Sequence, residues 1–158
     1  MALQRPPGGI LYFMKRIFIF LFFLLVLSVL LISTASAQVQ TRVRIIEASN
    51  VGSNIDSSLR DVTGQIGSLF SFSSYRLLKE ETVTLQKDQP VSIPVHPGRS
   101  LELTLIRRHR EGAEVRVKIK REGSDILNTQ VRLTPGRIVS IGGPKHREGT
   151  ILIALALL

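Results

Sequence analysis

The side chains best suited to acid–base or metal chemistry in this sequence are its three histidines, His96, His109 and His146. An imidazole becomes a general base or a metal ligand when a carboxylate or a second ligand lies within reach. Each of these histidines stands beside turn-forming or basic residues, and none has a second ligand at the spacing of a helix turn or hairpin. The sequence therefore predicts surface histidines and no metal site.

The carboxylates give no recognisable catalytic pair, because acid–base hydrolysis needs two carboxyl groups held face to face. Four aspartates are expected on a helix or in turns: Asp56, Asp61, Asp88 and Asp125. The segment Gly142-Gly143-Pro144 lacks the Lys-Ser/Thr pair of a phosphate loop. The chain has no cysteine, which excludes thiolate catalysis. We therefore expect no enzyme and no cofactor; the alternative is a small hydrolase whose histidine and carboxylate meet only on folding.

The N-terminal segment has the three parts of a secretory signal peptide. Lys15 and Arg16 precede the apolar run Ile17 to Ile32, and Ala35-Ser36-Ala37 supplies the small residues of a cleavage site. This pattern predicts a signal peptide over residues 1–37, with Met14 as an alternative start. The cleaved protein would begin near Gln38 and function in the periplasm or outside the cell.

A retained membrane anchor is the alternative to cleavage. The apolar run is shorter than the roughly 20 residues that a spanning helix needs, and Lys15 and Arg16 interrupt its extension toward the N-terminus. A lipid anchor is excluded because the chain has no cysteine to carry it. Residues 38–158 then form one exported domain, long enough to bury a core without disulfides.

One amphipathic helix is expected near the start of this domain. Ser53 and Asp56 have the spacing of a capping box, and apolar residues recur afterwards at steps of three and four. They are Ile55, Leu59, Val62, Ile66 and Leu69 or Phe70. Gly64 and Gly67 weaken the second half of the helix.

Most of the remaining chain alternates polar and apolar residues, which is typical of half-buried strands. The expected strands are Thr41 to Ala48, Tyr75 to Leu78, Thr82 to Gln86, Val91 to Val95, Leu101 to Leu105, Val115 to Ile119, Leu127 to Leu133, Ile138 to Ile141 and Thr150 to Leu158. Pro90 and Pro97 favour an edge position or irregular pairing for the fourth of these. Together the patterns predict an α+β fold, mainly an antiparallel β meander or sandwich with one helix.

Two groups of residues form a candidate partner surface. The first is basic: Arg107, Arg108, Arg110, Arg116, Lys118 and Lys120. The second lies in the nearly all-apolar last strand: Ile151, Ile153 and Leu155. Arg5, Lys15 and Arg16 precede residue 38, so the exported domain contains 18 of the 21 Lys and Arg residues and all 12 acidic residues. Its basic residues therefore outnumber its acidic ones by six.

This excess of positive charge suits an acidic lipid, a cell-wall polymer or an envelope protein, and the apolar strand suits a homo-oligomer. Two simpler interpretations stay open. The basic residues could form a solvated sheet face with cross-strand charge pairs, and the last strand could be a buried central strand. Nucleic acid is not expected as a partner, since the aromatics are not interleaved with the cations.

The stretch Val115 to Ile153 resembles the late Gly-Gly element of bacterial secretin channel subunits. Two alternating strands lead into Thr134-Pro135-Gly136-Arg137-Ile138-Val139-Ser140-Ile141-Gly142-Gly143, and another apolar strand follows. The ring-forming domain and gate motif of secretins have no counterpart here. The resemblance implies a small envelope accessory protein of such a system. The sequence as a whole predicts a non-enzymatic exported bacterial envelope module for binding or assembly, with a membrane-anchored periplasmic β domain as an alternative.

Overall fold

The computed structural model describes residues 9–30, 38–67, 70–96 and 98–158. The chain divides into two units, Met1–Ala35 and Ser36–Leu158. The first contains helix α1 (Gly9–Leu30). No helix passes the length and hydropathy required of a membrane span when the described residues are searched. The expected cleavage site, Ala35-Ser36-Ala37, lies outside the described residues.

The second unit is built from eight strands and one short helical segment. The strands are β1 (Gln38–Ser49), β2 (Ser74–Gln86), β3 (Pro90–His96), β4 (Arg99–His109), β5 (Gly112–Arg121), β6 (Ser124–Leu133), β7 (Ile138–His146) and β8 (Gly149–Leu157). Sheet A has the order β2-β1-β8-β7, and sheet B has the order β3-β4-β5-β6. All pairings within the sheets are antiparallel. The predicted α+β fold with a β meander is confirmed.

The main core lies between the two sheets. Alternate residues of each strand point inward, because successive side chains of a strand face opposite sides. Sheet B contributes the fully buried Leu101, Leu103, Leu105, Val115 and Val117, and sheet A contributes Val43, Ile45, Leu85, Ile151 and Ile153. The period-two pattern in the sequence is thus the pattern of burial against the opposite sheet.

Strand β8 is central and covered on both faces. It lies between β1 and β7. Ile151, Ile153 and Leu155 are fully buried in the inter-sheet core, and Leu152 and Ala154 are buried on the opposite face. The simpler interpretation of this apolar strand is therefore correct. Its assignment to a partner surface is corrected, because these side chains complete the domain's own interior.

The predicted helix is shorter than its apolar pattern suggests. A 3-10 turn covers Ser57–Leu59, and helix α2 follows at Arg60–Ile66. The capping residue is Asp56 and not Ser53, since its carboxylate accepts the backbone N–H of Ser58 at 3.0 Å. Leu59 and Val62 pack on the outer face of sheet A with Ile46 and Leu152. Ile55 is instead exposed and bridges to Tyr75 as a short β segment.

Two predicted short strands are one strand. β2 runs without a break through Lys79 and Glu81 because β1 pairs with it along its whole length. A register shift opposite Ile45 and Ile46 absorbs one extra residue, which is how a β-bulge lengthens one strand of a pair. The prediction that the proline-flanked strand lies at an edge is confirmed by β3.

Candidate functional site

The predicted basic residues of β5 lie on the outer face of sheet B, where neighbouring carboxylates neutralise two of them. Lys120 donates to Glu102 of β4 at 2.6 Å, and Lys118 lies 3.1 Å from Asp125 of β6. The hydrogen bond to Glu102 raises the pKa of Lys120. Arg116 stands between Thr104 and Gln130 in the register. This face therefore has the cross-strand charge pairs of a solvated sheet surface.

The predicted cluster at the β4–β5 hairpin lies at one end of the sandwich. Arg107 of β4 is the cross-strand partner of Glu114 in β5. Arg116 lies two residues after Glu114 in β5, on the same face of the sheet. Arg108 donates to the backbone oxygen of Gln38 at 3.0 Å, and this bond joins sheet B to the start of β1. Arg110 is exposed in the turn. The structure thus gives Arg108 a structural contact and leaves Arg107 and Arg110 open to solvent.

A denser group of cations, absent from the sequence prediction, lies at the opposite end of the sandwich. Three hairpin connections meet there: β3–β4, β5–β6 and β7–β8. Arg99, Arg121, Lys145 and Arg147 come from these connections and line one cavity of about 370 Å³. We call these four residues the cationic end. Its members come from both sheets, so the folded sandwich is needed to assemble it.

None of the four cations forms an ion pair among the described residues, since no carboxylate lies within salt-bridge distance of them. One acidic residue, Glu122, also lines the cavity, so four cations share it with a single carboxylate. Arg99 and Arg121 are direct cross-strand partners. Like charges placed opposite each other in a sheet destabilise the pairing. Arg99 also donates to the backbone oxygen of Lys145 at 3.1 Å, which fixes one guanidinium between the two sheets.

The turns themselves hold these cations in place. Glu122 and Arg147 both adopt the left-handed backbone region, with φ of 51° and 52°. Gly123 follows with φ of 83°, a backbone region that glycine adopts without steric cost in a tight hairpin. The tripeptide Arg-Glu-Gly occurs at residues 110–112, 121–123 and 147–149. Two copies flank the cationic end, but the first lies at the opposite end of the sandwich, so the recurrence does not by itself locate the cationic end. It is indistinguishable from ordinary turn chemistry until the two hairpins are known to be neighbours.

A histidine–carboxylate pair adjoins the cationic end. His146 is 7% exposed and lines the same cavity, and its Nε2 lies 3.7 Å from Oε1 of Glu47. Arg76 donates to the other carboxylate oxygen of Glu47. The predicted surface position of His146 is therefore wrong, because the β7–β8 hairpin packs it against the end of β1. The Glu47 carboxylate thus contacts both the Arg76 guanidinium of β2 and the His146 imidazole of β7. These contacts link the end of β1 to two other strands of sheet A, which is a structural role.

The other histidines differ in their surroundings. His109 is partly exposed at the β4–β5 hairpin, with Nε2 3.8 Å from Glu114. His96 ends β3, and its side chain lies outside the described residues. No cluster of three metal-ligating side chains occurs in the part of the chain that the structure describes.

A second cavity, of about 230 Å³, lies between α2 and the outer face of sheet A. Its charged lining residues are Arg42, Arg44, Asp61 and Arg137. Nη1 of Arg44 donates to both oxygens of Asp61 at 2.8 and 2.7 Å. Nε of Arg44 donates to Glu80 at 2.8 Å. Burial acts to lower the pKa of Arg44, but the bonds to the two carboxylates outweigh it and raise the pKa. Arg44 is bonded to two carboxylates and Arg42 lies 3.7 Å from Glu80, so among the described residues Arg137 is the one cation of this cavity without an ion pair. The cationic end has four such cations and is therefore the better candidate site.

The residues predicted to form a partner surface thus lie in three separate places: the outer face of sheet B, the β4–β5 hairpin and the core between the sheets. The cationic end contains none of them, and the sequence did not indicate it. Gly142 and Gly143, which carry the resemblance to secretins, lie in β7 where its register with β8 shifts. Comparisons of the chain with protein-family models, with characterised proteins and with solved structures find no match.

Proposed function

We propose that this chain is an exported, non-enzymatic binding module of the bacterial envelope, and that its cationic end binds a phosphate-bearing envelope component. The observation that carries the proposal is the convergence of four cations, Arg99, Arg121, Lys145 and Arg147, around one cavity whose lining has a single acidic residue, Glu122. None of the four forms an ion pair among the described residues. Export rests on the signal-peptide pattern in residues 1–37. The phosphate-bearing component binds at the cationic end, and the two sheets hold its four cations in position.

Phosphate is the favoured ligand group because arginine recognises it in a particular way. A guanidinium presents parallel N–H donors that match two phosphate oxygens, and an ammonium adds a point charge. Three arginines and one lysine offer both at the cationic end. An anion between Arg99 and Arg121 would also relieve the repulsion of this cross-strand pair. Two effects therefore favour binding: the new hydrogen bonds to the anion, and the reduced repulsion between Arg99 and Arg121.

The experiment compares two double variants with equal loss of charge. Arg121→Gln with Arg147→Gln alters the cationic end, and Arg107→Gln with Arg110→Gln alters exposed arginines at the opposite end. Binding is measured by fluorescence anisotropy with labelled inorganic polyphosphate and by co-sedimentation with phosphatidylglycerol vesicles. The first variant should weaken binding several-fold more than the second. Equal weakening by both variants would indicate a general charge effect and overturn the site.

The two probes distinguish the sources of the phosphate. Binding to polyphosphate that exceeds binding to vesicles favours a soluble or cell-wall polymer, whereas the reverse order favours a lipid headgroup. Both should weaken with added salt, because exposed charges are screened over about 10 Å at 0.1 M ionic strength. Failure of both probes to bind the unsubstituted protein would remove the proposed ligand class.

The proposed location has its own test. Mass spectrometry of the protein recovered from bacterial cells should find Gln38 or a near neighbour at the N-terminus. Retention of residues 1–37 would favour the membrane-anchored alternative and leave the ligand proposal unchanged. An accessory role beside a secretin channel is a more specific form of this proposal, and co-purification of the exported protein with such a channel would support it.

A further inference from the structure

The four edge strands of the sandwich differ in how they are protected against pairing. An edge strand exposes unpaired N–H and C=O groups, and proteins blunt such edges with charges, prolines, bulges or covering segments. The edges here are β2 and β7 in sheet A, and β3 and β6 in sheet B. Three of them carry such protection, and the fourth is largely free of it.

The protected edges use different means. β2 carries the charged run Lys79-Glu80-Glu81, and its start is bridged by Ile55. β3 contains Pro90 and Pro94. β7 contains Gly142-Gly143-Pro144 at its register shift, and the side-chain oxygen of Gln65 accepts the backbone N–H of Ile138. Each edge therefore resists the addition of another strand.

Strand β6 contrasts with these edges. Its bulge lies at the register shift near Ile126, and the seven residues from Leu127 to Leu133 pair regularly with β5. This stretch spans about 23 Å at roughly 3.3 Å per residue. It contains no proline and a single charged residue, Arg132. Within the described part of the chain, no strand pairs with its outer edge.

We propose that β6 is an assembly edge that pairs antiparallel with β6 of a second copy of this chain, about a two-fold axis through Thr129. This register places Leu127 opposite Val131 of the other copy. Both are partly buried residues at the rim of the core, so pairing would cover them further. It also places Asn128 opposite Gln130 on the outer face and Thr129 opposite Thr129. The two copies form one continuous eight-stranded sheet, which is within the usual size of open sheets.

A second copy fits this edge better than a charged partner strand does. The stretch is self-complementary in the register given, with apolar opposite apolar and amide opposite amide, and no like charges face each other. The antiparallel arrangement sends the two cationic ends to opposite ends of the dimer. The inference concerns a different surface from the phosphate site and does not depend on it.

A cysteine test exploits the absence of native cysteines. Thr129→Cys in the full chain places two thiols on the axis, where paired strands have Cα atoms about 4.5 to 5.5 Å apart, within disulfide range. Arg132→Cys is the matched control, since its copies would lie three residues from the axis. Cells expressing each variant are treated with a mild oxidant, and products are separated on a non-reducing gel. Thr129→Cys should give a dimer band several-fold stronger than Arg132→Cys.

Two solvent-face variants test the register in the Thr129→Cys background. Asn128→Glu with Gln130→Glu places acidic residues opposite Lys118 and Arg116 within the monomer, which favours folding. In the dimer the same change sets carboxylates against carboxylates and should remove most of the cross-link. Asn128→Glu with Gln130→Lys sets opposite charges together across the axis and should keep it.

A further pair of variants avoids any effect of Thr129→Cys on folding. Asn128→Cys and Gln130→Cys both lie on the exposed face. When co-expressed they should form a mixed disulfide more readily than either forms with itself. Equal cross-linking of all cysteine positions, a cross-link only to a different protein, or an undiminished dimer in the doubly acidic variant would each overturn the proposal.

Discussion

Arg44 and the cationic end both concentrate positive charge, but they differ in burial and in pairing. The Arg44 side chain is 11% exposed and bonded to Asp61 and Glu80, whereas Arg121, Lys145 and Arg147 are exposed without a carboxylate partner. A cation removed from water needs counter-ions, because desolvation of an unpaired charge is costly. Cations at hairpin turns keep their hydration and can stay unpaired. The comparison separates charge used to hold the fold from charge available to a ligand.

The Lys120–Glu102 pair on sheet B is intermediate. Its geometry is close, at 2.6 Å, but the Lys120 side chain is 30% exposed, so water competes for both groups. Exposed ion pairs contribute little to stability and are screened by salt. The three environments therefore predict a graded series of effects on the free energy of unfolding.

The largest effect is expected at Arg44. Arg44→Met keeps an unbranched apolar stem but leaves Asp61 and Glu80 without their shared cation, and should lower the free energy of unfolding by about 1–3 kcal/mol. Arg42→Met is the matched control on the same face, since Arg42 lies 3.7 Å from Glu80 and is well exposed. Chemical denaturation measures both variants. Equal losses would contradict the distinction between buried and exposed arginines.

A pH dependence follows from the same cluster. Partial burial acts to raise the pKa of Asp61, but the hydrogen bonds and charge of Arg44 outweigh it, and the pKa falls below its usual 3.8. The stabilisation by the Asp61 carboxylate is present above the unfolded-state pKa and lost as pH falls through the lower folded-state pKa.

Asp61→Asn should accordingly lose less stability on acidification than the unsubstituted protein. The difference should be smaller than the Arg44→Met loss because Asp61 is half exposed. Denaturation at neutral pH and below the folded-state pKa measures it. A constant difference between the two proteins across this range would show that Asp61 does not titrate through the Arg44 contact.

A small effect is expected at Lys120. Lys120→Gln removes the pair with Glu102, and the loss in the free energy of unfolding should be slight and should vanish at high salt. A double-mutant cycle with Glu102→Gln isolates the coupling between the two side chains. A coupling as large as the Arg44 effect would mean that this face is as rigidly organised as the outer face of sheet A.

The smallest effect, of opposite sign, is expected at the cationic end. Arg121→Gln removes the like-charge contact with Arg99, so the free energy of unfolding should stay the same or rise slightly at low salt. The gain should disappear as salt screens the repulsion. Thermal unfolding at two ionic strengths measures it. A clear loss of stability would assign Arg121 to structural contacts and weaken its proposed role in binding.

The edge position of β6 could not be recognised before the fold was known. Leu127 to Leu133 alternates like the inward-facing strands before it, and alternation indicates a strand without indicating its position in a sheet. The fold reveals the edge, since within the described residues β6 pairs with β5 and with no other strand. The proline-bearing β3 was recognisable as an edge because proline removes a backbone donor from a central position.

The sequence by itself determined most of the strands and the meander from β4 to β6, because these depend on local alternation and turn residues. It left open whether the apolar β8 is a buried central strand or a partner surface. Tertiary structure alone decided that β1 pairs with β8, that His146 meets Glu47, and that Lys145 and Arg147 join Arg99 and Arg121. These residues are distant along the chain, and they meet only when two sheets close over a shared core. Short-range patterns specify each strand, whereas the sites between strands arise from the way the strands pack.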